Sequence, residues 1–240
     1  MMIVDTKLVC FLDVLGFESR LSQFGLDPLR KKYSELIEFV QAQTGGLDIA
    51  RTPDGHVAVG WLILGNAFFS DTILFWCAYN EMALPSFTDL ISEAICKGIE
   101  IDLPLRGAIA IGEAELDSKH GVFLGSPLVE AARTEAAQRW IGASFGPSLT
   151  SQRYNNGFHL DTVLPFKSQY KDPTSAFATG MAVDWPRRWR QTRKSDVRPL
   201  IDAMNTQPGA SSYYETTGRF VDFSERNHDW FRVAGHLDYG

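Results

Sequence analysis

The stretch VCFLDVLGFESR, residues 9–20, places a single carboxylate, that of Asp13, inside an otherwise apolar run. Residues 7–15 have the length and the apolar content of a β-strand, and Gly16 ends it. Aspartate is among the residues that strands tolerate least. A charge in such surroundings needs a counter-charge, a network of hydrogen bonds or a metal ion. Asp13 is therefore the first candidate for a functional residue.

The composition indicates one globular domain. Hydrophobic residues make up 45% of the 240 residues and aromatic residues 12%, which is enough for a substantial core. We expect a single domain over residues 1–240, with a core over about 7–190 and a C-terminal extension over about 195–240. The net charge of -6 argues against wholesale binding of nucleic acid or of anionic membranes, so neither is expected as a partner.

The cysteines and the N-terminus favour a cytoplasmic location. Cys10, Cys77 and Cys96 are odd in number and lie among apolar residues, which is typical of reduced core thiols rather than of a disulfide framework. Asp5 precedes any long apolar run, so a signal peptide is not expected. The longest apolar stretch, residues 57–69, is interrupted by glycines and is short for a bilayer span.

The hydrophobic periodicity predicts an alternation of strands and helices. The predicted elements are a strand over 7–15, a helix over 27–43, a β-rich hairpin over 57–78, a helix over 85–99, a strand over 103–116, a helix over 125–138 and a strand over 140–149, with further strands near 158–164 and 178–185 and a tail of helix and loop over 211–232. The order β-α-β-β-α-β predicts an α+β fold with a ferredoxin-like core, in which helices pack on an antiparallel sheet.

A second aspartate, Asp71, lies in the apolar sequence NAFFSDTILFW. The hairpin turn falls either at Gly65-Asn66 or at Ser70-Asp71. In the predicted unit the first strand and this hairpin are neighbours, so Asp13 and Asp71 can converge. Two buried carboxylates repel each other, and two divalent cations would resolve the conflict while leaving positions open for phosphates. The alternative is that one aspartate is a turn or capping residue.

Two arginines have the surroundings that a phosphate site needs. Arg106 begins LRGAIAIG, where the small residues after it allow a phosphate to approach the backbone. The alternative is an ordinary arginine at a strand end. Arg133 lies among alanines in GSPLVEAARTEA, and its alternative is a surface ion pair with Glu130 or Glu135.

Four motifs taken together resemble one family. FLDVLGF, FSDTILF, LRGAIAIG and GSPLVEAAR follow one another as the motifs of class III nucleotidyl cyclase catalytic domains do, over residues 7 to about 150. Within that class, LRGAIAIGEA and GSPLVEAA are most similar to the pyrimidine cyclases of bacterial Pycsar antiphage systems. The resemblance implies a cyclase-type extension of the ferredoxin-like core and the synthesis of cyclic UMP or cyclic CMP.

The resemblance also implies roles for particular residues. Asp13 and Asp71 match the two aspartates that bind two Mg²⁺ or Mn²⁺ ions, and the Val14 carbonyl matches the backbone ligand. Arg106 matches the arginine that holds the β- and γ-phosphates. Arg133 matches the arginine that stabilises the transition state, which in the family comes from the partner subunit. A head-to-tail homodimer with composite active sites is therefore implied.

The base-reading positions depart from the adenylate cyclases. Ala67 and Val122 stand where those enzymes have an adenine-reading lysine and aspartate, and Val129 stands where they have a ribose-orienting asparagine. None of these side chains can hydrogen-bond to adenine or ribose. With Arg106 and Phe11, Ala67 and Val122 complete the expected substrate-binding set. The long spacing between the two aspartates suggests an insertion around GGLDIARTPDGH.

The expected function is the conversion of UTP to 3′,5′-cyclic UMP and pyrophosphate, for second-messenger synthesis in antiphage defence with a downstream cyclic-nucleotide-binding effector. The alternatives are a cytidylate cyclase, a cyclase-like module that binds a nucleotide without turnover, and a palm-like polymerase or diguanylate cyclase, against which the lack of a GGDEF-like hairpin counts. Uracil and cytosine are not distinguished by the sequence.

The basic stretch RRWRQTRK, residues 187–194, has a composition that can bind nucleic acid. In an acidic protein, a solvated face or a strand at a dimer contact is the better interpretation. Lys194 is also a candidate for the late lysine with which cyclases contact the triphosphate.

Overall fold

The computed structural model describes residues 5–42, 47–51, 57–61, 64–80, 83–150, 162–205, 209–230 and 237–238. The fold is α+β, as predicted, with a large and mostly antiparallel sheet on which helices pack. The strands are β1 (Asp5–Val14), β2 (Leu47–Arg51), β3 (Val57–Trp61), β4 (Gly65–Phe69), β5 (Thr72–Ala78), β6 (Leu105–Asp117), β7 (Val122–Gly125), β8 (Gly142–Phe145), β9 (Val163–Pro165) and β10 (Met181–Val183). The helices are α1 (Phe17–Phe24), α2 (Leu26–Ala42), α3 (Ala83–Glu100), α4 (Ser126–Ala136), α5 (Pro147–Thr150), α6 (Trp185–Thr192), α7 (Arg198–Met204) and α8 (Ser211–Arg226).

The order of strands in the main sheet is β4-β5-β1-β6-β8-β10-β9, and β7 pairs with β6. Together with α2 and α3, the strands β1, β4, β5 and β6 form the predicted β-α-β-β-α-β unit, and every strand pair within it is antiparallel. Strand β8 then joins β6 in parallel. The first strand therefore lies at the centre of the unit, between the hairpin and β6.

The two faces of the sheet carry different side chains, because successive residues of a strand point to opposite faces. Leu8 and Leu12 of β1 belong to the large core, to which α3 contributes Phe87 and Ile91. On the other face, Val9 belongs to a smaller apolar cluster with residues of β4 and β5. Helix α4 covers part of that second face, where small side chains of α4 and β6 form a further cluster.

The C-terminal part of the chain packs into the large core. Phe220 of α8 is fully buried, and its ring centroid lies 4.7 Å from that of Trp140 and 4.9 Å from that of Phe166. The Thr217 hydroxyl accepts a hydrogen bond of 2.8 Å from the Ile141 N–H. Residues 211–226 are thus a helix that packs into the same core as the sheet. The prediction of helix and loop over 211–232 is confirmed for this helix.

Several elements differ from the prediction. The strand expected over 140–149 is shorter, since β8 gives way to the short helix α5 at Pro147. The short elements α1 and β7 were not predicted. Strands β2 and β3 pair in a separate two-stranded sheet. Strand β2 lies in the region expected to be an insertion, whereas β3 lies in the region expected to belong to the hairpin, which is formed by β4 and β5 alone. The strand expected near 158–164 begins outside the described residues and is represented by β9.

The basic stretch is helical, so the interpretation as a dimer-contact strand is wrong. Trp189 of α6 is buried, and Arg188 and Arg193 form ion pairs with α3. Arg188 Nε and Arg193 Nη1 each lie 2.5 Å from a carboxylate oxygen of Glu93. These charges therefore fix one helix against another, while Arg190 and Lys194 remain exposed.

The three cysteines are buried and free, which confirms the prediction of core thiols. Within the described residues, we find no helix with both the length and the apolar character that a membrane span requires.

Candidate active site

Asp13 and Asp71 meet at one end of the sheet. In the β1–β5 pair Asp13 lies opposite Thr72, and Asp71 occupies the two-residue turn that joins β4 to β5. Ser70 begins this turn with a φ of 53°, as the first position of a type II′ hairpin turn requires. The Val14 N–H donates a hydrogen bond of 3.0 Å to the Asp71 carbonyl, which ties the turn to the end of β1. Of the two turn positions left open by the sequence, the structure has the one at Ser70-Asp71.

The electrostatic environment of Asp13 disfavours its charged form. Burial, together with the nearby Glu135 and Asp71 carboxylates, raises the pKa of Asp13 to about 7, although Arg106 opposes this effect. The Asp13 side chain still has 24% of its surface exposed. A partly accessible carboxylate that is crowded by other carboxylates is the arrangement that a divalent cation stabilises.

Arg106 lies beside Asp13 on the next strand. The two residues are opposite each other in the β1–β6 pair, and Arg106 Nη2 lies 3.8 Å from Asp13 Oδ2. The same guanidinium makes an ion pair with Glu135 of α4, through Nε and Nη2. Its Nη1 donates to the Gln138 carbonyl at 3.3 Å. Arg106 is therefore more than an ordinary arginine at a strand end, since it links two carboxylates.

Glu135 was not predicted as a site residue. The sequence offered it as a surface partner of Arg133, but Glu135 is only 6% exposed and bonds Arg106 instead. The signal that could have located it is the helical phase. Ala131 and Thr134 of the same helix are fully buried, so a residue at the spacing of Glu135 faces the sheet.

A cavity of about 390 Å³ opens next to Asp13 and Arg106. The lining residues come from the end of β1, from β6 and from the N-terminal end of α8; they are Asp13, Leu15, Gly16, Arg106, Gly209, Ala210, Tyr213 and Tyr214. The Tyr213 ring centroid lies 5.9 Å from Arg106 Cζ. The contribution of the C-terminal extension to this wall was not predicted, because nothing in a tyrosine pair on a helix indicates which site it borders.

Tyr33 is a further residue near the two aspartates that the sequence did not single out. Its hydroxyl is buried and has no hydrogen-bond partner among the described residues. Burial raises its pKa well above the ordinary value, and Asp71 and Asp13 add to the effect. Its ring meets that of Phe17 edge to face.

Phe11 and Ala67, two of the expected base-binding positions, lie on the second face of the sheet, to which Asp13 also belongs as the second residue after Phe11. Phe11 pairs with Leu74, and Leu74 pairs with Ala67, so the three form one row across β1, β5 and β4. This row is adjacent to that of Asp13. Val122 pairs with Asp117, at the end of β6 opposite to Arg106. The structure therefore brings Phe11 and Ala67 together but leaves Val122 remote from Arg106 within one chain.

Arg133 faces solvent. It lies two residues before Glu135 on α4, which places the two side chains about 200° apart around the helix. Since Glu135 points to the sheet, Arg133 points away from it and is exposed, as is Val129 one turn earlier. The suggested ion pair with Glu130 or Glu135 is absent from the described residues, because Glu130 accepts from Ser148 and Glu135 from Arg106.

Lys194, the candidate triphosphate lysine, does not reach this cavity. It lines a different cavity of about 360 Å³, together with residues of α6, α7 and α8 that include Arg190 and Arg198. Within one chain, Lys194 is therefore separate from the cavity that Asp13 and Arg106 line.

The residues present fit a divalent cation site of the open kind. Asp13 and Asp71 would supply hard oxygen ligands to such an ion, and the backbone of Val14 is held beside Asp71. In the part of the chain that the structure describes, no group of three or more His, Cys, Asp or Glu side chains is placed to hold a metal ion. A cation here would thus need oxygen ligands from the substrate or from water in addition to the carboxylates.

Comparisons with known proteins include a weak likeness to a solved structure. No protein-family profile matches the chain, and no curated protein matches it. That solved structure is the crystal structure of a class III adenylyl cyclase-like ATP-binding protein from Pseudomonas aeruginosa, at 13% sequence identity and a TM-score of 0.38. The alignment covers 93% of this chain and 44% of that chain, so the present chain spans less than half of the length of the other. At this level the likeness assigns no family, substrate or activity to the chain.

Proposed function

We propose that the protein is a nucleotidyl cyclase that converts UTP to 3′,5′-cyclic UMP and pyrophosphate. The observation that carries the proposal is the convergence of Asp13 and Asp71 at one end of the sheet, beside Arg106 and a cavity of about 390 Å³. Asp13 and Arg106 line this cavity and Asp71 lies near Asp13, which suits a triphosphate that is bound through divalent cations.

Each residue then has a defined task. Asp13 and Asp71, with the Val14 carbonyl, would hold two Mg²⁺ or Mn²⁺ ions. When bound, these ions lower the pKa of the ribose 3′-hydroxyl and neutralise the departing pyrophosphate. Arg106 would hold the β- and γ-phosphates with the part of its guanidinium that faces the cavity. This fixes the α-phosphate in line with the attacking hydroxyl.

The choice of a pyrimidine rests on the apolar character of the expected base-binding face. Ala67 is buried beside Trp76, and Phe11 packs against the same cluster. Neither Ala67 nor Val122 offers the hydrogen-bonding side chain that the adenine-reading positions of adenylate cyclases have. CTP is the alternative substrate, since these two positions do not distinguish cytosine from uracil.

We further propose that the active form is a homodimer with composite sites. Arg133 is exposed on α4 and points away from Arg106 of its own chain, so it can act on a triphosphate only in a second copy. In the partner's site its guanidinium would bind the charge that develops at the α-phosphate. The role in antiphage defence, with a cyclic-nucleotide-binding effector downstream, is part of this proposal and follows from the resemblance of the motifs.

The test is the incubation of the purified protein with UTP, CTP, ATP and GTP in turn, each with Mn²⁺, followed by mass spectrometry of the products. We expect cyclic UMP and pyrophosphate from UTP, with less product from CTP and none from the purines. If only ATP or GTP is cyclised, the pyrimidine substrate is wrong, but the protein is still a nucleotidyl cyclase.

A second candidate function is a module that binds a nucleotide without turnover. The observation in its favour is that Glu135 already pairs with Arg106, so a phosphate must share that guanidinium. If no nucleotide is cyclised in the same experiment but one binds with a micromolar Kd by calorimetry, this second function replaces the first.

A further inference from the structure

Glu135 is a buried carboxylate to which the proposed reaction gives no task. Its side chain is 8% exposed, and Arg106 is its hydrogen-bonding partner among the described residues. Burial raises the pKa of Glu135, and the Arg106 guanidinium opposes that effect. A buried carboxylate is costly unless it is paired with good geometry, so Glu135 and Arg106 depend on each other.

Helix α4 and the residues that follow it hold the guanidinium of Arg106 in place. Nε and Nη2 both meet the Glu135 carboxylate, and Nη1 donates to the Gln138 carbonyl. Gln138 is itself fixed, because its side-chain amide donates to the Gly107 carbonyl at 2.8 Å and accepts from Ser144 at 2.8 Å. The plane of the guanidinium is therefore set by groups outside the cavity.

Asp13 is the competing partner. Arg106 Nη2 lies 3.8 Å from Asp13 Oδ2, which is longer than a hydrogen bond but within reach of a small side-chain rotation. An arginine released from Glu135 would close this gap, since a charge-assisted pair with a carboxylate is strong. Such a pair would occupy the Asp13 oxygens and turn the guanidinium away from the cavity.

We propose that Glu135 is the positioning residue that keeps Arg106 apart from Asp13. By engaging the Nε edge, Glu135 leaves the Asp13 carboxylate open to a divalent cation and the remaining Nη donors open to a phosphate. Glu135 is not among the residues that line the cavity, whereas Asp13 and Arg106 are, so it acts through Arg106. The inference rests on the proposed function for the identity of the cation and the phosphate.

Two substitutions separate position from charge. E135D keeps the negative charge but is shorter by one methylene, so it loses its reach to Arg106 Nε. E135Q removes the charge but keeps an oxygen at the same position. The measurement is the Kd for Mn²⁺ without nucleotide, by electron paramagnetic resonance, with thermal unfolding to show that each variant is folded.

We expect E135D to bind Mn²⁺ roughly ten- to a hundredfold more weakly than the wild type, which is the usual cost of losing a group that orients a ligand. E135Q should stay within about threefold of the wild type, and adding R106A to E135D should restore most of the Mn²⁺ affinity, because the competing guanidinium is then gone. E130D is the matched control, since Glu130 lies on the same helix but bonds Ser148.

The proposal is overturned if E135Q binds Mn²⁺ more weakly than E135D, because the loss of the charge, which E135D keeps, would then matter more than the position of the oxygen. It is also overturned if E135D binds Mn²⁺ as the wild type does. If the wild type itself binds no Mn²⁺, the cation site of the proposed function is wrong, and this inference fails with it. If the wild type binds Mn²⁺ but the variants behave as described above, only this inference fails.

Discussion

At the scale of single residues, ionised Asp13 lowers the stability of the fold but can bind a cation. Its carboxylate lies in an apolar strand near Asp71 and Glu135, and burial together with these two charges raises its pKa to about 7. In an unfolded chain an aspartate titrates near pH 4. The folded state therefore binds the proton more tightly than the unfolded state, and the stability contributed by this group falls as the pH rises from about 4 to 7. A bound cation would reverse this loss.

This linkage predicts a pH dependence for Mn²⁺ binding. A cation competes with the proton on Asp13, so the affinity should rise through neutral pH and level off above about 8. Between pH 6 and pH 8 the ionised fraction of a group with a pKa of about 7 rises roughly tenfold, and the affinity should rise by a similar factor. The measurement is the Mn²⁺ dependence of the unfolding temperature at several pH values. Asp13→Asn should remove both the dependence and most of the Mn²⁺ effect, and equal Mn²⁺ effects at pH 6 and 8 in the wild type would count against this role of Asp13.

The sequence was sufficient to find the two aspartates and not sufficient to find Glu135. A carboxylate inside FLDVLGF or FSDTILF stands out, because apolar neighbours leave it no solvated surface. Glu135 lies in TEAAQR, where a glutamate is typical of an exposed helix face. Its burial depends on the contact of α4 with β6, which joins residues 29 positions apart.

At the scale of elements, α4 connects the two halves of the proposed site. Gly125, with a φ of 148°, allows the chain to leave β7 and enter the helix, and a Cβ there would lie 2.6 Å from the Glu113 carbonyl oxygen. The helix then directs Glu135 to the sheet, whereas Val129 and Arg133 face solvent. In the proposed dimer, one helix therefore contacts Arg106 of its own chain through Glu135 and places Arg133 in the site of the other copy.

This division of α4 predicts complementation between two inactive variants. Asp13→Ala should lose the cation site and Arg133→Ala should lose the group supplied to the partner. In an equal mixture with free exchange of subunits, half of the dimers contain one intact composite site, so about a quarter of the wild-type UTP turnover should return. Subunit exchange is confirmed with differently tagged chains. An absence of recovery despite exchange would contradict the composite site.

The elements also show which parts of the fold a sequence can specify. The long periodic segments that became α2, α3 and β6 were predicted close to their bounds, since many residues contribute to each pattern. The interpretation of α6 as a strand was wrong, and its contact with α3 was not predicted, because Arg188 and the following Arg193 are held by Glu93 and Glu100, which are far away in the chain. The short elements α1 and β7 carry too few residues for a period to be apparent.

At the scale of the whole molecule, the C-terminal extension is tied to both the core and the site. Phe220 packs between Trp140 and Phe166, and the same helix α8 places Tyr213 beside Arg106. The motifs that resemble the cyclases end near residue 150, so they gave no information on this part of the chain. Its position follows from tertiary packing, which joins α8 to the end of β1 across some 200 residues of sequence.

The central claim is that Asp13 and Asp71 form a divalent cation site for nucleotide cyclisation. It is tested most directly by the rate of cyclic UMP formation from UTP and Mn²⁺ in the wild type and in Asp71→Asn, which suits the same turn and keeps the backbone bond to Val14. We expect the wild type to form cyclic UMP and the variant to be slower by at least about a hundredfold, at an unchanged unfolding temperature. Cyclic UMP formation by Asp71→Asn at a rate near that of the wild type would contradict the account.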